Sequence, residues 1–389
     1  MFLSTPPSAL RAASARPWLS ISSGVALRQR WFSTSPTNRA GNIITFGETS
    51  SPELAELLDS FRQKVILPSY LAGEQRKKIY KAKLKHILQN DPITMEIDGV
   101  VHKFRHLNQM QDLPNTHGSW TSALALMKTL ADFQNVQPLL EGCMRDRRRV
   151  SPDMHVKIIR RAALHDSLEV VMDCVRAVQR TGFKLDRSEI INELLVCLQW
   201  PAISSGWNAG KTKTALRQIQ LVLDILESDK SHMPKDITVG AFRFYQDPQV
   251  LAARLHMAAA RAVYHQDGKD VDGKVTKYAE EIVALWPEGN GLLDLQPDAS
   301  YADRWKMKYL LHRNTYLWLA SPVLNGLMLA AQVVDPGLAM QLQNRADMVD
   351  AEVKTALSAP ERVKSGKAEN MYQALFNPQA KEEVEEEAA

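Results

Sequence analysis

The sequence predicts an all-α fold: a helical-hairpin repeat solenoid with additional C-terminal helices and one small β-hairpin near residues 93–104. Three observations carry that prediction. Apolar residues recur three or four apart along most of the chain, the period of half-buried helices. Ser51-Pro52 and Ser151-Pro152 place an N-cap and a first-turn proline at segment starts. One short stretch breaks the helical period with alternation around an Asp-Gly turn. At 389 residues, 45% hydrophobic and 24% charged, the composition is that of a globular protein and excludes a disordered or multi-span membrane chain. The three cysteines, Cys143, Cys174 and Cys197, have no close pair, which excludes a disulfide scaffold or zinc ribbon and fits a reducing compartment.

Residues 1–40 hold five arginines (Arg11, Arg16, Arg28, Arg30, Arg39), no lysine and no acid. Serine- and arginine-rich, acid-free and without an unbroken apolar run, this segment reads as a cleaved mitochondrial presequence. The run Arg30-Trp31-Phe32-Ser33 resembles a matrix-protease site, with Arg30, Phe32 and Ser33 marking cleavage. The formal charge of +4 therefore divides into +5 for residues 1–40, −4 for the acidic tail from Lys381 and +3 for the body between.

After a polar link, a helix is expected from Ser51 to about Leu67, with Leu54, Leu57, Leu58, Phe61 and Val65 on one face and Pro68 as its stop. A second runs from Glu74 to Leu88, burying Tyr80, Leu84, Ile87 and Leu88 beside the lysines at 77, 81 and 85. Asp98-Gly99 then turns a β-hairpin that puts Ile93, Met95 and Ile97 on the same face as Val100, His102 and Phe104.

From Gly118 the pattern becomes paired helices. Thr121 to Phe133 pairs with Val136 to Arg145, Asp153 to Leu164 with Leu168 to Arg180, and Ser188 to Gln199 with Thr212 to Ser228. Joints at Asp153 and Asp186 lie 33 residues apart, close to the tetratricopeptide period; the next unit, to Asp236, is 50 residues long, its excess being a Pro201 to Gly210 loop. The unit endings Val150-Ser151-Pro152-Asp153 and Gly182-Phe183-Lys184-Leu185-Asp186 resemble the glycine, apolar, x, proline, aspartate ending of the pentatricopeptide-repeat family. This resemblance covers about Ser119 to Asp236. The first ending lacks the glycine and the second has Leu185 for proline. It implies a mitochondrial helical-hairpin protein with an RNA partner, similar to fungal mitochondrial ribosome-associated proteins. Base-reading members carry a small polar residue early in the first helix, where this chain has Met154-His155-Val156-Lys157-Ile158.

Further helices are expected at Gln249 to Tyr264, Val275 to Trp286, Tyr301 to Leu319, Ser321 to Val334, Met340 to Leu357 and Met371 to Phe376. The domain plan is then 1–40 presequence, 41–117 N-terminal helices plus hairpin, 118–236 degenerate repeats, 237–376 C-terminal helices and 377–389 a disordered acidic tail.

Several candidate sites fail on chemistry. Residues 314–334 carry no charge, but Asn314, Ser321, Pro322, Asn325 and Gln332 interrupt them, favouring two core helices over a membrane span. Gly206 to Thr212 has the glycines of a phosphate loop one residue too close. Asp270-Val271-Asp272-Gly273 has the middle of a calcium loop, with Gly268 and Ala279 where its end acids should be. His102 and His106 have no further ligand types at metal spacing. No metal, cofactor or catalytic centre is expected.

What remains is basic surface. Arg76, Lys77, Lys78, Lys81, Lys83 and Lys85 form one band, and Arg145, Arg147, Arg148 and Arg149 with Arg160 and Arg161 form a cluster; both suit RNA phosphates. Together with the resemblance, these residues point to a non-catalytic matrix protein, a structural subunit of the mitochondrial ribosome in contact with ribosomal RNA and ribosomal proteins. Alternatives are a factor for one mitochondrial messenger RNA and an assembly factor for a respiratory complex.

Overall fold

The computed structural model describes residues 43–97, 99–233, 242–359 and 366–377. The expected presequence with Arg30, Phe32 and Ser33, the unit ending at Pro234 to Asp236 and the acidic tail beyond 377 lie outside the described residues.

Helix α1 (Pro52–Phe61) starts as expected: the Ser51 hydroxyl accepts from the Leu54 N–H, and Leu54, Leu58 and Phe61 are buried. Pro68 does not stop it. The rod continues through a π turn (Arg62–Ile66) into a 3-10 turn (Leu67–Tyr70), where Pro68 sits in the first turn and its missing N–H is not needed. The extended segment before α1 is tied across the fold: Gly47 N donates to Asn135 Oδ1 at 2.7 Å, and Ser50 N to Asp132 Oδ1 at 2.7 Å.

The expected helix from Glu74 to Leu88 is two: α2 (Gly73–Ile79) and α3 (Lys85–Asn90), with Lys81 extended and a 3-10 turn between. The Ile79 carbonyl, which a continuous helix would offer to residue 83, accepts instead from the Leu107 N–H and from His106 Nδ1, each at 2.9 Å. That tertiary pair overrides the local propensity. The buried stripe shifts with it: Ile79 and Leu88 are buried, Tyr80 and Leu84 are half-buried, and Ile87 faces solvent.

Strands β1 (Ile93–Ile97) and β2 (Val100–Phe104) pair antiparallel with Ile93 opposite Phe104, Met95 opposite His102 and Ile97 opposite Val100. Phe104, Ile93 and Met95 pack with Leu67, Leu71, Ile79 and Leu88 into a small core separate from the main one. Val100, at the turn end, is exposed.

The first helix of the next pair is also divided, into α4 (Thr116–Leu126) and α5 (Leu130–Gln134), followed by α6 (Val136–Arg145). Thr129 and Asp132 form a reciprocal capping box that restarts the helix at Leu130. Asp132 is buried and also accepts from the Ser50 hydroxyl at 2.6 Å and from Lys128 N at 3.0 Å. Burial alone would raise its pKa, but these donors outweigh it and hold the carboxyl well below the usual carboxylate range.

Helix α7 (Pro152–Leu164) lies on α8 (Leu168–Arg176), and a break at Ala177 precedes the short α9 (Val178–Thr181), which ends on Gly182 at φ 68°. A side chain there would be strained, and its Cβ would meet Met144 Sδ at 2.5 Å. Helix α10 (Ser188–Ser204) runs past Pro201, so the expected insertion loop shrinks to the stretch before α11 (Ala209–Ser228).

The rest comprises α12 (Pro248–His265), α13 (Lys274–Leu285), α14 (Asp298–Ala302), α15 (Arg313–Ala331), α16 (Pro336–Ser358) and α17 (Gly366–Phe376). Residues 301–319 are not one helix, because turns and a 3-10 segment at Lys308–Leu311 separate α14 from α15. Nor does Ser321-Pro322 start a helix. Pro322 lies inside α15, and the Ser321 hydroxyl donates to the Leu317 carbonyl at 2.7 Å. Tyr316 through Leu327 are all buried, so the uncharged run is the centre of the core. Among the described residues no helix is long and apolar enough to cross a membrane.

Successive hairpins pack in order: α7 on α8 and α10, α10 on α11 and α12, α12 on α13 and α15, and α15 on α16 and α17. The main core runs through all of them from Leu54 to Met371.

Candidate nucleic-acid interface

The two basic clusters, some 70 residues apart in sequence, meet through one carboxylate. Asp146, in the turn after α6, is paired with Arg76 of α2 and with Arg148 Nε at 2.8 Å. Beside it the Arg145 guanidinium lies 3.6 Å from the centroid of the Tyr70 ring. A cation so placed is attracted by the ring face while its edge stays open to an anion.

The structure divides the predicted residues into two kinds. Arg148 also donates Nη1 to the Pro114 carbonyl and the Thr116 hydroxyl, both at 3.0 Å, which fixes the approach to α4. Arg161 donates Nε to the Leu124 carbonyl at 3.1 Å and so closes the C-terminal end of α4. Arg160 grips the buried Glu193 of α10 with two parallel bonds of 2.9 Å, joining α7 to α10. Together with Arg76, these arginines brace the fold.

Lys78, Lys81, Lys83, Lys85, Arg147 and Arg149 are exposed and have no ion-pair partner among the described residues. Lys77 is exposed and paired with the exposed Glu74 at 2.9 Å, an ion pair worth little in water. Arg147, at φ 57°, sits in the left-handed region, which turns the chain sharply between α6 and α7. Sequence reasoning missed Lys103 and Arg105, exposed on and just after β2 at the outer side of the same small core. Strand alternation was the available signal: both fall opposite in phase to the buried Phe104. Between Glu74 and Leu107 the chain has eight Lys and Arg against four Asp and Glu, so this region carries a net positive field.

The other sequence motifs have local partners. Asn208 Oδ1 accepts from Gly210 N at 3.0 Å and Lys211 N at 3.2 Å, so the glycine loop caps α11 and its amides are not free to cradle phosphate. Asp270 accepts from Thr276, and Asp272 is paired with Arg261 and Lys274. Cys143, Cys174 and Cys197 are free and buried, and burial pushes the Cys143 thiol up to about 11 and the others higher still. Such thiols are poor nucleophiles at neutral pH.

A family model described as mitochondrial ribosomal protein mS27 matches residues 30–375, most of the chain. A curated relative, small ribosomal subunit protein mS27 of Neurospora crassa, is 40% identical over 343 residues, covering 83% of this chain and 86% of the relative. The chain belongs to the mitochondrial ribosomal protein mS27 family. Membership places its work in the mitochondrial matrix and makes mitochondrial ribosomal RNA and ribosomal proteins its partners. The exposed cations of the α2–α3 region and of the α6–α7 turn lie inside the part of the chain that the mS27 family covers.

Proposed function

We propose that this mS27 family protein is a non-catalytic structural component of the small mitochondrial ribosomal subunit, holding ribosomal RNA phosphates on its basic face and neighbouring proteins on its helical surfaces. The observation that carries this reading is the meeting of two cationic clusters at Asp146, with six of their side chains exposed and without an ion-pair partner among the described residues. Lys78, Lys81, Lys83, Lys85, Arg147 and Arg149 are the phosphate-binding groups in this proposal, with Arg145 and Lys77 at their side. Arg76, Arg148, Arg160 and Arg161 act by holding α2, α4, α7 and α10 in place.

We read α4–α6, α7–α9 and α10–α11 as degenerate hairpin repeats of the pentatricopeptide kind, supported by the packing of α4 on α7 and of α7 on α10. Reading of individual bases by this array is disfavoured. At the start of α7, Met154, His155 and Val156 are buried, and His155 stacks on Phe183 with ring centroids 4.4 Å apart. Burial lowers the His155 pKa to about 4, with the Arg187 charge adding to it, so its ring is neutral at the pH of the matrix.

Sedimentation of the tagged protein from mitochondrial lysate, with and without ribonuclease, tests the reading. Co-migration with the small subunit is expected. Replacing Lys81, Lys83, Lys85, Arg147 and Arg149 by Glu is expected to weaken binding to ribosomal RNA at least about tenfold. The same change should flatten the salt dependence by roughly 0.7–0.9 in log–log slope for each phosphate no longer neutralised. Unchanged affinity and slope in that variant would remove the basic face from the proposal.

A further inference from the structure

A second cationic site lies well away in sequence from the α2–α3 and α6–α7 cations. An open cleft of about 380 Å³ lies where the first turns of α7 and α10 face the segment joining α14 to α15. That volume is within the roughly 300–1,000 Å³ typical of small-ligand sites. Its wall carries Arg187, Arg304, Lys306 and Lys308 against Asp153 and Glu189; Arg304 Nη2 lies 3.9 Å from Asp153 Oδ2, and Arg160 at the edge is matched by the buried Glu193. Trp305 stands among these cations with 55% of its surface exposed, although tryptophan is highly buried on average. The Arg187 guanidinium lies 4.6 Å from an indole ring centroid and that of Arg304 5.4 Å.

The helix end facing this cleft is also incomplete. Helix α10 is 17 residues long and its N-cap, Arg187, offers no side-chain acceptor. The Ser188 hydroxyl is turned away, 2.8 Å from the Tyr309 hydroxyl. The first amides of α10 thus have no side-chain cap, and the positive end of its dipole faces the cleft.

We propose that this cleft holds an unpaired RNA nucleotide. Its base stacks on the exposed part of Trp305 and on the guanidinium planes beside it, and its flanking phosphates lie against Lys306, Lys308 and the first amides of α10. Alternating aromatic platform and cations match the alternation of base and phosphate in a single strand. An acidic peptide would satisfy the lysines and leave the indole bare. The inference rests on the ribosomal reading for its source of RNA and adds an interaction of different character: stacking on one unpaired base, where the basic face takes backbone charge only.

The test uses the full chain and three probes: a decauridylate, the same backbone without bases, and polyglutamate. Tight binding of the decauridylate is expected, with the abasic strand about tenfold weaker and polyglutamate unable to displace it. A 4-thiouridine version should crosslink to residues 303–312. Trp305→Ala should cost about tenfold in decauridylate affinity with Trp305→Phe recovering most of it, while neither changes binding of the abasic strand. Equal affinity for the abasic strand, displacement by polyglutamate, or crosslinks confined to residues 77–85 would each overturn the proposal. Co-sedimentation of the Trp305→Ala protein with the small subunit keeps the outcomes separable. If it co-sediments and binds the oligonucleotide as tightly as the parent, the cleft fails and the ribosomal reading stands. If the unaltered protein does not co-sediment, the ribosomal reading fails whatever the cleft does.

Discussion

The region from Leu67 to Leu107 and the α12–α15–α16 region solve opposite problems with the same helical material. In the first, a handful of buried side chains, Leu67, Leu71, Ile79, Leu88 and Phe104, support two short helices and a hairpin. The helices are interrupted, and the lysines at 78, 81, 83 and 85 are left exposed around them. In the second, Ala252, Ala253, Ala258, Ala259, Ala260 and Ala262 of α12 allow α15 to approach so closely that Gly326 lies against His256. Polar groups there are turned inward: His256 is buried between Gln199 at 2.7 Å and Asn325 at 3.0 Å. Burial lowers its pKa to about 4, against the opposing effect of the Asn325 hydrogen bond. The difference teaches that a segment presenting its charges to solvent can stand on a thin core, whereas helices pressed this close depend on dense packing.

The sharpest way to test that contrast is Ile79→Ala. The residue is fully buried in the small core, and the loss is expected at about 3 kcal/mol. Amide exchange should accelerate between residues 67 and 107 and stay slow in α12 and α15; acceleration everywhere would mean that the two regions are one cooperative unit.

Next in size is Gly326→Ala. The added carbon would stand 2.7 Å from His256 Cβ and 3.0 Å from its Cα, where the neighbouring backbone cannot yield. A net cost of about 2 kcal/mol is expected despite a gain of roughly 1 kcal/mol in helix propensity, read as a lower urea midpoint at unchanged slope.

Asp247→Asn probes the polar side of the scaffold. The Asp247 carboxyl accepts from Gln249 N at 3.0 Å and Gln296 Nε2 at 3.1 Å, and burial pushes its pKa up to about 7 despite both bonds. The folded state therefore keeps a proton that the unfolded chain releases near pH 4, so stability falls as pH rises from about 4 to 7. With the titration removed, the variant should gain stability relative to the parent as pH rises through that window. Parallel unfolding curves at pH 5 and pH 7.5 with no change in the difference would discard the buried acid.

The smallest expected effect is on the exposed side. Lys83→Ser with Lys85→Ser should move stability by less than about 0.5 kcal/mol while weakening RNA binding, since neither lysine has an ion-pair partner among the described residues. A large loss of stability would make these lysines part of the scaffold after all.

Much of this architecture is legible in the chain. Ser51-Pro52 and Ser151-Pro152 start α1 and α7, Asp98-Gly99 lies between β1 and β2, and the hairpin register follows from alternation. The breaks are not. Ile79 loses its helical carbonyl partner to Leu107, Asp132 at the restart of α5 is held by Ser50, and Pro322 stays inside α15, each for a reason lying far along the chain or in the surrounding core. The basic candidates show the same division. Composition flagged all twelve, but only pairing with Asp146, Glu193 and the end of α4 separates braces from free cations. Trp305 and its cleft left no periodic mark, because their parts come from residues 152–189 and 304–315.

By itself the sequence determined that this protein is helical, where most helices begin, and that its cations gather in runs, because caps, periodicity and charge are written in neighbouring residues. Tertiary structure decided which helices break, which arginines are consumed by internal carboxylates and carbonyls, and that clusters 70 residues apart share Asp146. Those outcomes depend on which distant groups compete for a donor or a charge, and that competition exists only once the chain is packed.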